Sequence, residues 1–279
     1  MTPDQYCETI AAPAGSDLYY SLLYLKPEVR QAVVAVHALR EQIGRVVDER
    51  HEDQVARSKL DWWRSELDRC FAGNPQHPVT RALQAPLEHF NLPKEYFLEI
   101  LDGVWMDMER RHFASFNELA LYCYRVSGVV GLLSAEICGY QQRATLTCAT
   151  SLGTAFRLAD ILLNFGRDLR QGRVYLPQET LAPVGLDAAE LSASIHAERL
   201  VPVAQQLLDR VRRQFDDALQ GLPAADRATQ CALLIRTAIY RALLDEVEAD
   251  GLHVTDHRLE LTALRKLRIA WTTHRRARR

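Results

Sequence analysis

Two groups of polar residues interrupt apolar stretches of the chain at helical spacing. Glu41, Arg45 and Asp48 are separated by four and three residues, with Gly44 beside them. Arg157, Asp160, Asn164 and Asp168 follow one another at three, four and four. Each set falls on one face of a helix. Carboxylates on two inward helix faces can hold a divalent metal between them. A hard cation such as Mg²⁺ favours carboxylate oxygens and can bridge to diphosphate. Asp48, Asp160, Asn164 and Asp168 supply the oxygen donors of that pattern. The same spacing also describes a solvated charged stripe, since i,i+4 charges are common on helices. His37 sits one turn before Glu41, where it can be a catalytic base or, more commonly, a structural histidine.

Helices must position these groups, and the chain is patterned for helices. Apolar residues recur at three- and four-residue steps from Pro27 to Val47, and Pro suits the first helical turn. Further helical segments run over about 55–71, 78–90, 93–110, 189–219, 224–249 and 259–271. Residues 115–137 read as a buried helix, continuous or broken near Gly128 and Gly131, where close helix approach is the expected use of glycine. Residues 144–170 form the longest uninterrupted pattern, ended by Gln171-Gly172-Arg173. Residues 173–188 are an irregular loop. No strand-like alternation or fixed-period repeat persists. The expectation is one all-α domain, residues 1–279, of about ten helices.

Composition removes several classes of function. The 279 residues carry 34 Lys+Arg against 36 Asp+Glu, and 48% are hydrophobic. Disorder and low complexity do not fit those values. A dedicated nucleic-acid binder would be strongly basic, so no nucleic-acid partner is expected. The 6 cysteines lack CxxC spacing, which leaves no zinc ribbon or thioredoxin motif and suits a reducing compartment. The N-terminus shows no signal peptide, and no apolar run reads as long enough to span a membrane. A cytoplasmic protein is expected. The segment of about 265–279 is rich in arginine and has no acids, which reads either as a solvated tail or as a peripheral contact with anionic lipid.

Several ordered motifs resemble one family. They are Tyr19-Tyr20-Ser21, Asp61-Trp62-Trp63-Arg64, the run from Gly73 to Val79, Asp102-Gly103 with Met106-Asp107, and Tyr122-Cys123 leading into the run from Arg125 to Gly131. Arg173-Val174-Tyr175-Leu176-Pro177, the run Tyr240 to Asp245, and Arg265-Lys266-Leu267 complete the set. Over nearly its whole length the chain is similar to the squalene/phytoene synthases, and most of all to bacterial presqualene diphosphate synthases. That resemblance implies a single-domain helical bundle around a central apolar cavity. It implies head-to-head condensation of two farnesyl diphosphates, Mg²⁺ as cofactor, and NADPH only where the reaction continues to squalene. It places Asp48, Asp160 and Asp168 at the metal-dependent chemistry. Tyr19, Tyr20, Ser21, Arg173 and Tyr175 would then meet the prenyl diphosphate.

The chain departs from the family pattern at the metal motifs. The first motif, Arg-x-x-Asp-Asp-x-x-x-Asp, aligns with Glu41, Gly44, Arg45 and Asp48, so one acid of three is kept. The second, Gln-x-x-Asn-x-x-x-Asp-x-x-x-Asp, aligns with Arg157, Asp160, Asn164 and Asp168. A guanidinium can take the place of a cation and bind carboxylates in bidentate fashion. Glu41, Arg45, Arg157 and Asn164 therefore read as a rewired charge network, with Arg45 or Arg157 expected to pair with Asp160, Asp168 or Glu41. The alternative to an active condensing enzyme is a non-catalytic isoprenoid-binding, assembly or regulatory homologue.

Overall fold

The computed structural model describes the chain except residues 50–52, 110–111, 192, 255–258 and 279, and except the side chains of Asp48 and residues 193–197. The helices are α1 (Pro3–Ala11), α2 (Asp17–Ser21), α3 (Pro27–Asp48), α4 (Asp53–Phe71), α5 (Pro78–Ala82), α6 (Gln84–His89), α7 (Lys94–Glu109) and α8 (Phe116–Cys123). They continue as α9 (Val129–Cys138), α10 (Ala144–Leu163), α11 (Phe165–Arg170), α12 (Gln178–Leu181), α13 (Ala193–Gly221), α14 (Cys231–Ala249) and α15 (Ala263–Ala277). Among the described residues there is no strand, only one isolated parallel bridge between His112 and Val174. The expected end of α7 at Arg110 lies outside the described residues.

Local chemistry sets many of these boundaries. Thr2 and Gln5 form a capping box at the start of α1, and the Ser16 and Ser115 side chains cap α2 and α8. Along α3 the apolar period buries Val33, Val36, Leu39, Ile43 and Val46. Gly172, at φ +72°, ends the segment after α11 in the left-handed region, as the glycine at that break predicts.

Glu66 explains why the turn from Gly73 to Val79 is so well specified. Its buried carboxylate accepts hydrogen bonds from Gln76 N and His77 N, both at 2.8 Å, from the Thr80 hydroxyl, and from Arg69 Nη2 at 2.6 Å. Burial pushes this carboxyl up, but the donors of His77, Thr80, Arg69 and Gln76 outweigh that and hold it below its ordinary value. His77 in turn packs its ring against Trp63 at 4.8 Å.

Two breaks depart from the expected pattern. α8 and α9 are joined without interruption by a single wide π turn, Tyr124–Gly128. Such turns insert one extra residue into a helix and favour functional positions. The pattern over 144–170 breaks at Asn164, which closes α10 and opens α11 with φ −104° and ψ 7°. Its amide donates to the Asp160 carbonyl at 2.8 Å, a local bond that competes with helix continuation.

The joined stretch corrects the expectation about membrane-length segments. Phe116–Cys138 and Ala144–Leu163 are each long and apolar enough to cross a bilayer by length and composition, and 61% of the apolar window of each is buried in the protein. They pack against each other very closely. A Cβ on Gly131 would lie 2.3 Å from the Ala149 carbonyl oxygen, and one on Gly153 would lie 2.4 Å from that of Ser127. One contiguous apolar core runs from Cys7 to Ala270 through α3, α7, α9, α10, α13 and α14.

Candidate functional site

A cavity of about 340 Å³ opens between α2, α3, α7, α8, the π turn, α9, α10 and α14. Leu18, Val104, Val126 and Val130 line its apolar part, while Arg40, Glu41, Asp107, Arg157, Asp160 and Arg236 line the rest. Both sequence groups reach it. From α3 come His37, Arg40, Glu41 and Gly44; from α10 and its C-terminal break come Arg157, Asp160, Asn164 and Arg167.

Asp107 organises one wall. Its carboxylate accepts from the Tyr122 hydroxyl at 2.9 Å and from the Tyr175 hydroxyl at 2.8 and 3.0 Å. The two rings stack at 5.6 Å. The backbone bridge between His112 and Val174 holds the loop that presents Tyr175. Burial first, and then the charge of Asp107, keep Tyr175 above the ordinary phenol value, so it remains a donor. The Tyr122 hydroxyl receives Arg157 Nη2 at 2.6 Å. The Arg157 guanidinium lies 4.9 Å from the centre of the Tyr175 ring and 5.2 Å from that of Tyr122. Burial opposes its charge, but Tyr122, Tyr175, Asp107 and Asp160 outweigh that and hold its pKa above the usual value.

The opposite part of the cavity is arranged around Asp160. The Tyr240 hydroxyl donates to its Oδ1 at 2.8 Å. Arg236 lies over the Phe156 ring at 4.5 Å and over Tyr240 at 5.6 Å. The Nε atoms of Arg157 and Arg236 are buried without a hydrogen-bond partner, as is Oδ1 of Asn164. Arg40 pairs with Glu41. His37 is held well below its ordinary pKa by burial and then by Arg236 and Arg40, so it is neutral at physiological pH.

The structure gathers only part of the residue set that the sequence singles out. Arg157, Asp160, Asn164 and Glu41 line the cavity. Arg157 pairs with a tyrosine hydroxyl rather than directly with a carboxylate, because Tyr122 stands between it and Asp107. Arg45 is exposed and is not part of the lining, since α3 turns that position away from the core. Asp168 is buried beyond the break at Asn164, paired with Arg167 at 3.2 Å; burial raises its pKa against the pull of Arg167, Arg157 and Arg173. The backbone of Asp48 ends α3, but its side chain lies outside the described residues.

At the start of α2, the cap Ser16 and then Asp17 and Leu18 line the cavity, and Tyr19, Tyr20 and Ser21 are not part of that lining. Tyr19 and Tyr20 pack edge to face, and buried Ser21 donates to the Leu18 carbonyl at 2.7 Å. Arg173 donates to the Val47 carbonyl and ties the central loop to the end of α3. Tyr175 joins the Asp107 wall. Asp107, Tyr122 and Tyr240 lie inside motifs visible in the sequence, but their distance along the chain hides their meeting. Arg40 and Arg236 carry no such signal.

Among the described residues the carboxylates of the cavity are already engaged by other side chains. Among the described residues no three His, Cys, Asp or Glu side chains converge as metal ligands. Both oxygens of Asp107 accept from tyrosines, one oxygen of Asp160 accepts from Tyr240, and Glu41 is paired with Arg40. Arg157 places a permanent positive charge on the same wall. A metal site of hard oxygen ligands draws on carboxylates free to coordinate, and a neighbouring guanidinium competes for them.

Comparison with known proteins follows the same outline. A family profile described as squalene/phytoene synthase matches residues 11–265. The chain is 30% identical over 267 residues to the chloroplastic phytoene synthase of an Oncidium hybrid cultivar, covering 94% of this chain and 65% of that protein. It is 30% identical over 282 residues to the 15-cis-phytoene synthase of Synechocystis sp., covering 96% of this chain and 84% of that one. Its fold matches the crystal structure of a dehydrosqualene synthase in complex with ligand at a TM-score of 0.83 and 23% identity, over 99% of this chain and 96% of the other.

Proposed function

Because the chain belongs to the squalene/phytoene synthase family, we propose that its central cavity takes a prenyl diphosphate or a related apolar isoprenoid, and that metal-dependent condensation is weakened or lost. The observation that carries this reading is Arg157. It stands among Tyr122, Tyr175, Asp107 and Asp160 on the wall where a metal would need free carboxylates. Two half-buried arginines of the lining, Arg157 and Arg236, each keep a buried Nε without a hydrogen-bond partner and so favour an anionic ligand that would accept from it. In this reading the diphosphate meets arginine directly, in the bidentate geometry that guanidinium suits. Leu18, Val104, Val126 and Val130 offer the isoprenoid tail an apolar surface.

A second reading has its own support. The match of 94–96% of this chain to phytoene synthases, over 65% and 84% of those proteins, favours an active prenyltransferase, here a head-to-head condensation of two farnesyl diphosphates of the presqualene diphosphate type. On that reading Asp48, Asp160 and Asp168 serve catalysis, Mg²⁺ is required, and NADPH enters only if squalene is the product.

Incubation with farnesyl diphosphate, Mg²⁺ and NADPH, followed by analysis of a hexane extract and of the phosphorylated products, separates the two. The first reading expects no condensation product, together with a farnesyl diphosphate-dependent thermal shift that survives chelation of divalent ions and is lost in Arg157→Gln. Steady, Mg²⁺-dependent formation of presqualene diphosphate or squalene would overturn it.

A further inference from the structure

The face of α15 that points away from the core is unusual for a soluble surface. Leu264 is 80% exposed, Trp271 50%, Leu267 43% and the neighbouring Tyr24 37%. These four side chains and Arg268 surround one shallow surface hollow. Positions 264, 267 and 271 follow the three- and four-residue steps of a single helix face. The inner face is used against the protein, where Lys266 and Ala270 are buried, and at the edge of the exposed stripe the His274 ring stacks on Tyr24 at 4.0 Å. The exposed stripe is therefore a second apolar face, not the one that holds the helix to the protein.

The charge around that stripe identifies its occupant. No acid occurs between Leu261 and Arg279. Arg265 pairs with Glu246, and Lys266 pairs with Asp17 at 2.7 Å. Among the described residues, the exposed Arg268, Arg275, Arg276 and Arg278 have no carboxylate partner, and Arg275 lies over the Trp271 ring at 4.9 Å. A stripe of Leu and Trp flanked by arginine on a helix of low overall hydrophobicity matches an interfacial, in-plane membrane helix. Trp and Tyr favour the headgroup level for the same amphipathic reason. Two copies of so basic a face would repel one another, which disfavours self-association through it.

We propose that the outer face of α15 docks on an anionic lipid bilayer, with Leu264, Leu267, Trp271 and Tyr24 entering the headgroup layer and Arg268, Arg275 and Arg278 meeting lipid phosphates. Docking stands on α15 and does not depend on what the cavity binds. It does have a consequence for the cavity. Lys266 Nζ also donates to the Gly15 carbonyl at 3.2 Å, and its partner Asp17 lines the cavity wall. One helix diameter, about 10 Å, then separates lipid from that wall.

Co-sedimentation of the full chain tests this, using vesicles of phosphatidylcholine alone and vesicles of phosphatidylcholine and phosphatidylglycerol in a two-to-one ratio. The expected result is strong binding to the anionic vesicles only, weakening as salt is raised. Each of Arg268→Gln and Arg275→Gln should lower partitioning roughly fivefold, and the double change Leu264→Ser with Trp271→Ser should abolish it. Unchanged thermal melts confirm that the variants fold, and the salt response of the unaltered chain stands without them. Absence of binding, equal binding to both vesicles, or binding that survives these changes would overturn the proposal. So would a dimer in solution that the α15 changes dissolve while vesicles bind nothing.

Discussion

At the scale of single residues, the site is a set of commitments already made between neighbours. Asp107 receives both tyrosine hydroxyls, so Asp107→Ala strands two donors and removes a counter-charge near Arg157. The expected loss is about 2 kcal/mol in urea unfolding, against about 1 kcal/mol for Tyr175→Phe, which removes one donor and leaves Tyr122 in place. Glu66 makes a pH-dependent contribution. Its pKa is depressed in the folded chain, so its stabilisation is present above the unfolded carboxyl value and is lost as pH falls through the lower folded one. Unfolding free energy should therefore drop below about pH 4. Glu66→Gln should lower stability near neutrality and flatten that acid limb, which denaturant titrations at several pH values would reveal. His37 acts on the other side of its ordinary value. It is buried and neutral, so acidification below about pH 6.5 favours the unfolded chain, which takes up the proton more readily.

At the scale of elements, the contact between α9 and α10 depends on having no side chain where the backbones meet. Gly131→Ala would drive a methyl into the Ala149 carbonyl, and the fixed backbone on both sides cannot yield. A loss of about 2–3 kcal/mol is expected in thermal or urea unfolding. Most helices are legible from periodicity alone, because each buries one face against the core. The two irregularities are not legible. The π turn follows from packing against α7 and α10, and the break at Asn164 follows from one side chain bonding its own backbone four residues earlier. Neither alters the hydrophobic pattern. The same limit explains the site. Spacing identifies Arg157, Asp160 and Glu41 as sharing inward faces, but it cannot say that Arg45 rotates outward or that Tyr122 intervenes between Arg157 and Asp107. Helices α1 and α2, of 9 and 5 residues, are too short to show a helical period in the sequence. Yet the start of α2, with its cap Ser16, supplies Ser16, Asp17 and Leu18 to the cavity, the three residues directly before the tyrosines that the family motif suggests.

At the scale of the whole molecule, the fold is that of the squalene/phytoene synthase family, and Arg40, Arg157 and Arg236 bring three guanidiniums to its cavity. A reversal can be attempted on this basis. Gly44 lines the cavity, and a Cβ there would meet nothing within 4 Å, so an aspartate fits. Gly44→Asp combined with Arg157→Gln should create a Mg²⁺-dependent rise in melting temperature in the presence of inorganic diphosphate, a response absent from the unaltered chain. If the response is already present before substitution, the metal-free reading of the cavity fails.

The wide turn between α8 and α9 also makes this helix a record of register. Each residue of an α-helix advances the winding by about 100°. Removing one residue from Tyr124–Gly128 would give a more uniform helix, yet it would swing Tyr122 around the axis and away from both Asp107 and Arg157. Such a deletion should keep its helical circular dichroism while losing any thermal stabilisation that farnesyl diphosphate gives the unaltered chain under the proposed function. The chain thus keeps an imperfect coil to hold one hydroxyl in place, and regularity and recognition pull this segment in opposite directions.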